Sequence, residues 1–130
     1  REWQATPTWF NPDANEAFLK SGKYILGLID AMNSAGVPIG AGTDTPIARA
    51  IPGDSLHSEL EILVNAGLTP LEAIESATVR PAEFFGLESS MGTIEEGKVA
   101  DLVLLDANPL INIKNTRMID SVIYRGQLFE

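Results

Sequence analysis

The stretch Gly40-Ala41-Gly42-Thr43-Asp44, entered through Val37-Pro38-Ile39, decides the fold. It reads as a short apolar strand that ends in an isolated carboxylate. A helical pattern precedes it and another follows it, and parallel barrels and doubly wound sheets place their chemistry at the tips of such strands. Gly40 and Gly42 alternate along the strand, so their missing side chains fall on one face. That leaves room inside a barrel or lets a neighbouring backbone approach; the other reading is two glycines in a tight crossover. Asp44 is the first candidate site residue.

Upstream, Phe18, Ile25, Leu28, Ile29 and Met32 recur at helical spacing, which predicts a long amphipathic helix from Asn15 to Ser34-Ala35-Gly36. Gly36 suits the left-handed position after a helix, and Pro38 confines the chain to extended geometry. Residues 3–10 read as the tail of a strand running into a loop at Asn11-Pro12-Asp13. Downstream, residues 45–53 carry Pro46, Pro52 and Gly53 and read as a loop over the site. Asp54 or Ser55 then caps a helix whose stripe is Leu56, Leu60, Leu63 and Val64 and which Gly67 closes. Thr69-Pro70-Leu71-Glu72 is a capping box with proline at the first helical position, and Pro81 and Gly86 bracket a further short helix, 82–85. Beyond Leu87 the texture changes: residues 92–94, 99–105 and 121–124 read as strands, with Glu95-Glu96-Gly97-Lys98 as a turn. A boundary near 88–90 separates residues 1–88 from 89–130, and the few strands of the second part need partners to make a stable sheet.

Composition bounds what the chain can bind. Its 130 residues are 45% apolar and 21% charged with a mean hydropathy of +0.06, values within the globular range. Nine Lys and Arg against eighteen Asp and Glu give a net charge of -9, the wrong sign for phosphates, so neither nucleic acid nor an anionic membrane surface is an expected partner. No apolar run approaches the roughly 20 residues that span a bilayer, the first residues lack a basic-then-apolar leader, and a cytoplasmic location is the expectation. There is no Cys, which excludes disulfides and thiolate metal sites. The chain opens on Arg1 and runs at once into apolar sequence from Trp3, as a piece cut from a longer protein would.

Two residues stand out chemically. A carboxylate such as Asp44 can bind a divalent metal through oxygen, and beside an activated water it can take a proton and return it to a leaving group. Equally, Asp before Thr-Pro is ordinary turn chemistry. His57, the single histidine, sits near a helix start with Glu59 and Glu61 close in sequence; residues two apart point to different faces, so the three form no ready chelate. His57 either bonds to backbone or lines a loop, or it contacts substrate. A catalytic zinc site takes about three protein ligands, mostly His, more than this chain offers alone. Asp101, Asp106, Glu95 and Glu96 read as turn formers or solvated ends, and no phosphate loop, nucleophile elbow or dinucleotide fingerprint is present.

Taken together, the motifs resemble the carboxyl-terminal part of the amidohydrolase superfamily. They are Gly40-Ala41-Gly42-Thr43-Asp44; Pro52-Gly53-x-Ser55-Leu56-His57-x-Glu59-Leu60; Ala66-Gly67-Leu68-Thr69-Pro70-x-Glu72-Ala73-Ile74 with Ala77-Thr78; and Met91-Gly92-Thr93-Ile94-Glu95-x-Gly97-Lys98-Val99-Ala100-Asp101-Leu102-Val103. Four motifs in order over residues 36–126 are far more specific than any one, and their flavour is that of imidazolonepropionase-like and Xaa-Pro-dipeptidase-like enzymes. The resemblance implies an α/β fold: the last two β/α units of a (β/α)8 TIM-like barrel in residues 1–88, and strands of a composite β-sandwich in 89–130. It implies hydrolysis of a C–N bond in an amide, cyclic amide or dipeptide by water activated on one or two divalent metals, usually zinc. Asp44 falls on the strand-eight aspartate that binds the metal and shuttles the proton; His57 matches a histidine often seen just after that strand, a candidate substrate contact. The other ligands belong to strands absent here, so the resemblance implies a fragment inactive alone, whose partners are a small-molecule substrate and the rest of the barrel or another copy, in a homo-oligomer. The alternatives are a non-catalytic amidohydrolase-like assembly domain and a small helical binding domain used by itself.

Overall fold

In the computed structural model, which describes residues 12–45 and 51–129, a long helix, α1 (Pro12–Ser34), opens the chain. It closes in a Schellman motif: Gly36, at φ 75°, donates to the Asn33 carbonyl and Val37 to that of Met32. The helix starts three residues earlier than its periodicity suggests, and of its apolar stripe Ile29 reaches the core while Ile25 and Leu28 stay exposed. The expected strand tail at 3–10 and the centre of the expected loop, 46–50, lie outside the described residues.

Residues 37–44 correct one expectation. They form no ladder-paired strand, because the strands that are described pair only with one another, in the C-terminal sheet. The pleat nevertheless survives in the burial pattern. Ile39, Ala41 and Thr43 are half-buried, the first two against the core, while Gly40, Gly42 and Asp44 are exposed.

Helix α2 (Asp54–Asn65) follows, with Gly53 rather than Asp54 or Ser55 at its N-cap and no side-chain cap bond. Asp54 is drawn to Arg117 instead, and the Ser55 hydroxyl accepts from the Ile51 N–H. Leu60 and Leu63 of its predicted stripe are buried and Leu56 is not. At its end Gly67 adopts φ 111° and its absent Cβ makes way for Asp30 of α1. Helix α3 (Pro70–Ala77) begins on the predicted capping box: the Thr69 hydroxyl accepts from the Glu72 N–H, and the Glu72 carboxylate accepts from the Thr69 N–H at 2.7 Å. Helix α4 (Val79–Phe85) starts before Pro81, whose missing N–H falls in the first turn where no intrahelical partner exists. Residues 92–94 are not a strand, since Gly92 lies against α4 with no room for a Cβ beside Ala82.

The C-terminal part is an antiparallel sheet of β1 (Leu102–Leu105), β2 (Ile119–Tyr124) and β3 (Gln127–Phe129) in the order β1-β2-β3. Val103 faces Val122 and Ile123 faces Leu128, with a bulge at Leu104/Leu105. Arg125 and Gly126, both at positive φ, make the two-residue hairpin turn, and the Asp101 carboxylate accepts from the Arg125 N–H. Between β1 and β2 a 3-10 helix (Ile113–Arg117), which periodicity does not disclose, crosses back to the helices. There Ile113 joins Leu60, Leu63, Leu68 and Ala73 in the core. Apolar side chains of the sheet, among them Val103, Leu104, Val122, Leu128 and Phe129, remain exposed.

Candidate active site

Asp44 stands at the far end of the 37–44 segment, with φ 50°. Asp tolerates the left-handed region better than most residues, so the position holds a short carboxylate at little cost in strain. Its side chain is exposed, and no hydrogen bond or ion pair joins it to another described residue. A Cβ at Gly40 or Gly42 would meet nothing within 4 Å. Asp44 thus ends an open face on which Gly40 and Gly42 leave no side chain between Pro38 and Asp44.

Two neighbouring helices hold that segment in place. The Ala41 N–H donates to the Ser76 carbonyl at the end of α3, 2.9 Å away. The Gly42 N–H donates to the Glu59 carboxylate of α2 at 2.6 Å. Ser76 is itself buried, its hydroxyl donating to the Ala73 carbonyl.

His57 points elsewhere. Its Nδ1 lies 3.0 Å from the Thr116 hydroxyl, which already spends its proton on the Ile113 carbonyl, so the ring carries its proton on Nδ1 and donates it to Thr116. One turn on, Glu61 receives the Arg117 Nε at 3.0 Å, while Nη1 reaches Asp54 and Nη2 reaches Ser58. Glu61 first, then Asp54, raises the pKa of the Arg117 guanidinium above its ordinary value. His57 and Glu61, four apart, share the face of α2 that meets the 3-10 helix, whereas Glu59 between them faces Gly42. No hydrogen bond among the described residues links His57 to Asp44.

Sequence reasoning did not foresee Arg117 or the work of Glu59. The single legible signal was the proximity of Glu59 to the motif around His57, since contacts spanning 17 and 56 residues leave no periodic trace.

The described residues do not by themselves fit a divalent metal. No three His, Asp or Glu side chains among them gather at metal-binding range, and Asp44 offers one carboxylate. A cleft of about 240 Å3, bordered by Pro38, Glu72, Glu75 and Arg80, opens at the other end of the segment from Asp44. Its charged groups are committed, Arg80 to Glu75 and Glu83, and Glu72 to Thr69. Among the described residues no helix is long and apolar enough to cross a membrane.

The chain is 38% identical over 101 residues to an ochratoxinase of Aspergillus niger, which covers 74% of this chain and 20% of that protein. It is 38% identical over 82 residues to an imidazolonepropionase of Shouchella clausii, covering 59% of this chain and 17% of the relative. Among solved structures, a Xaa-Pro dipeptidase with bound methionine in its active site superposes with a TM-score of 0.71 at 32% identity, over 82% of this chain and 25% of that one. The chain therefore spans only about a sixth to a quarter of the length of these relatives. The model of the amidohydrolase family matches residues 10–129, and the chain belongs to that family.

Proposed function

We propose that this chain is the carboxyl-terminal part of a metal-dependent enzyme that hydrolyses a C–N bond in a small amide, cyclic amide or dipeptide, and that Asp44 is its proton-transfer residue. Residues up to about 88 would supply the last two β/α units of a (β/α)8 barrel, and residues 89–130 strands of a small β-sandwich. The observation that carries the reading is the face formed by Gly40, Gly42 and Asp44, open and exposed while the alternate residues pack on the helices. Such a face is what a barrel strand turns toward an interior, with its functional group at the tip.

The chemistry assigned to this chain is that of one carboxylate. Asp44 accepts a proton from the water that attacks the carbonyl-like carbon, and passes it to the nitrogen as the C–N bond breaks, so that an amine leaves and a carboxyl product remains. Positioned general acid–base groups of this kind contribute about 10²- to 10⁴-fold. The divalent metal of the proposal, zinc by preference, requires a donor set that these residues do not complete, so its chemistry belongs to the intact protein. The substrate, the remaining donors and the subunit contacts of a homo-oligomer lie there too.

Turnover of N-acyl amino acids and Xaa-Pro dipeptides by the intact protein is the assay. Asp44→Asn is expected to fold as wild type does, by circular dichroism and melting, and to lose about 10²-fold or more in kcat. Wild-type turnover in that variant would remove Asp44 from the mechanism and favour a non-catalytic relative.

A further inference from the structure

We infer that Glu59 is a positioning residue, which sets the place of Asp44 by holding the Gly42 N–H. This inference rests on the reading that Asp44 transfers the proton.

The chain around Asp44 has few restraints of its own. Residues 37–44 lack ladder bonds, and the backbone donors nearest the tip end on one carbonyl of α3 and on the Glu59 carboxylate. Of these, the Glu59 contact is the closer to Asp44, two residues away along a segment whose side chains at 40 and 42 are absent. No side chain at Gly42 can pack to fix the backbone there, and its N–H is held by the 2.6 Å bond to Glu59. A charged acceptor makes it short and strong compared with a bond between neutral groups. Two residues on, Asp44 adopts the left-handed region at φ 50°, so a shift of the backbone at Gly42 would carry the carboxylate with it.

The aim of Glu59 is in turn fixed by its helix. Asp54, His57, Ser58 and Glu61 all bond to Thr116 or Arg117, and Leu60 and Leu63 are buried. Those contacts set the rotation of α2 about its axis and leave Glu59 on the side that faces Gly42. A displacement of about 1 Å at a reacting group can cost 10²-fold in rate without touching the substrate.

The test uses the intact protein with glycyl-proline and N-acetyl-phenylalanine as probes, and amide hydrogen exchange as a readout that needs no substrate. Glu59→Ala is expected to speed exchange at Gly42 and to lower kcat by about 10- to 100-fold with KM little changed. Glu59→Gln keeps an acceptor oxygen at the same reach without the charge and should restore most of both. Glu59→Asp keeps the charge but falls short of Gly42, so it should behave as the alanine variant does, and serves if that variant does not fold. In an Asp44→Asn background Glu59→Ala should cost nothing further, because both changes act through one carboxylate. Unchanged exchange at Gly42, unchanged kcat, or a full additional loss in the double variant would each overturn the inference. Wild-type turnover in Asp44→Asn would instead overturn the reading on which it rests.

Discussion

His57 and Glu59, separated by one residue on α2, have opposite errands, and the difference is a matter of helical geometry. His57 ties the helix to the 3-10 segment through the Thr116 hydroxyl, so Thr116→Val should leave the half-buried ring donor unpaired. The expected cost is about 1 to 3 kcal/mol, read from the midpoint of a urea melt. At position 44 the sequence leaves two readings, a site carboxylate or a turn former, and the fold adds that Asp44 is exposed at the tip of its segment with no described hydrogen-bond partner. At positions 59 and 117 the sequence was uninformative: a glutamate on a helix and an arginine near a turn look like solvated charge until the fold brings Gly42, Asp54, Ser58 and Glu61 to them. The arginine cluster is largely exposed, so Arg117→Ala should lower the melting temperature most at low ionic strength, and the difference should shrink in salt.

Helices were the most legible elements, because their ends are written locally. The capping box at Thr69, the left-handed closure at Gly36 and the helix end at Gly67 form as read, whereas α2 is entered through Gly53 rather than capped by Asp54 or Ser55. Thr69→Ala should cost about 1 kcal/mol. The pH dependence of this cap follows from its hydrogen bonds. The Thr69 N–H first, then the Thr69 hydroxyl, hold the Glu72 carboxyl below the ordinary glutamate range. A carboxyl whose folded pKa is depressed binds fewer protons in the native state, so its stabilisation is present at neutral pH and fades as the pH drops below the ordinary glutamate value through the lowered one. The melting-temperature gap between wild type and Glu72→Ala should therefore close in acid. Strands were less legible: 92–94 reads as a strand by composition yet is claimed by α4, and 37–44 has strand periodicity without ladder partners. Pairing is a property of neighbours, which a single segment does not encode.

At the scale of the molecule the core is small and helical, and it is closed by a residue from the other end of the chain. Leu60, Leu63, Leu68 and Ala73 meet Ile113, so Leu63→Ala should cost about 2 to 5 kcal/mol and loosen the C-terminal segment with the helices. Around that core lies much uncovered apolar surface, on the sheet and at Phe84, Phe85, Ile94 and Ile111. On the proposed reading the remainder of the barrel covers it. The 130-residue chain alone should then self-associate in a sedimentation experiment, whereas a sharp melt from a monodisperse monomer would favour an independent binding domain. On the proposed reading Asp44 belongs to a metal site built jointly by this chain and residues beyond it. The measurement that tests it most directly is zinc content by elemental analysis, on the intact protein and on the 130-residue chain side by side after equilibration with zinc and dialysis. One or two zinc per intact molecule and essentially none on the isolated chain are expected. A monomeric chain that retains about one zinc, or an intact protein that retains none, would contradict that reading.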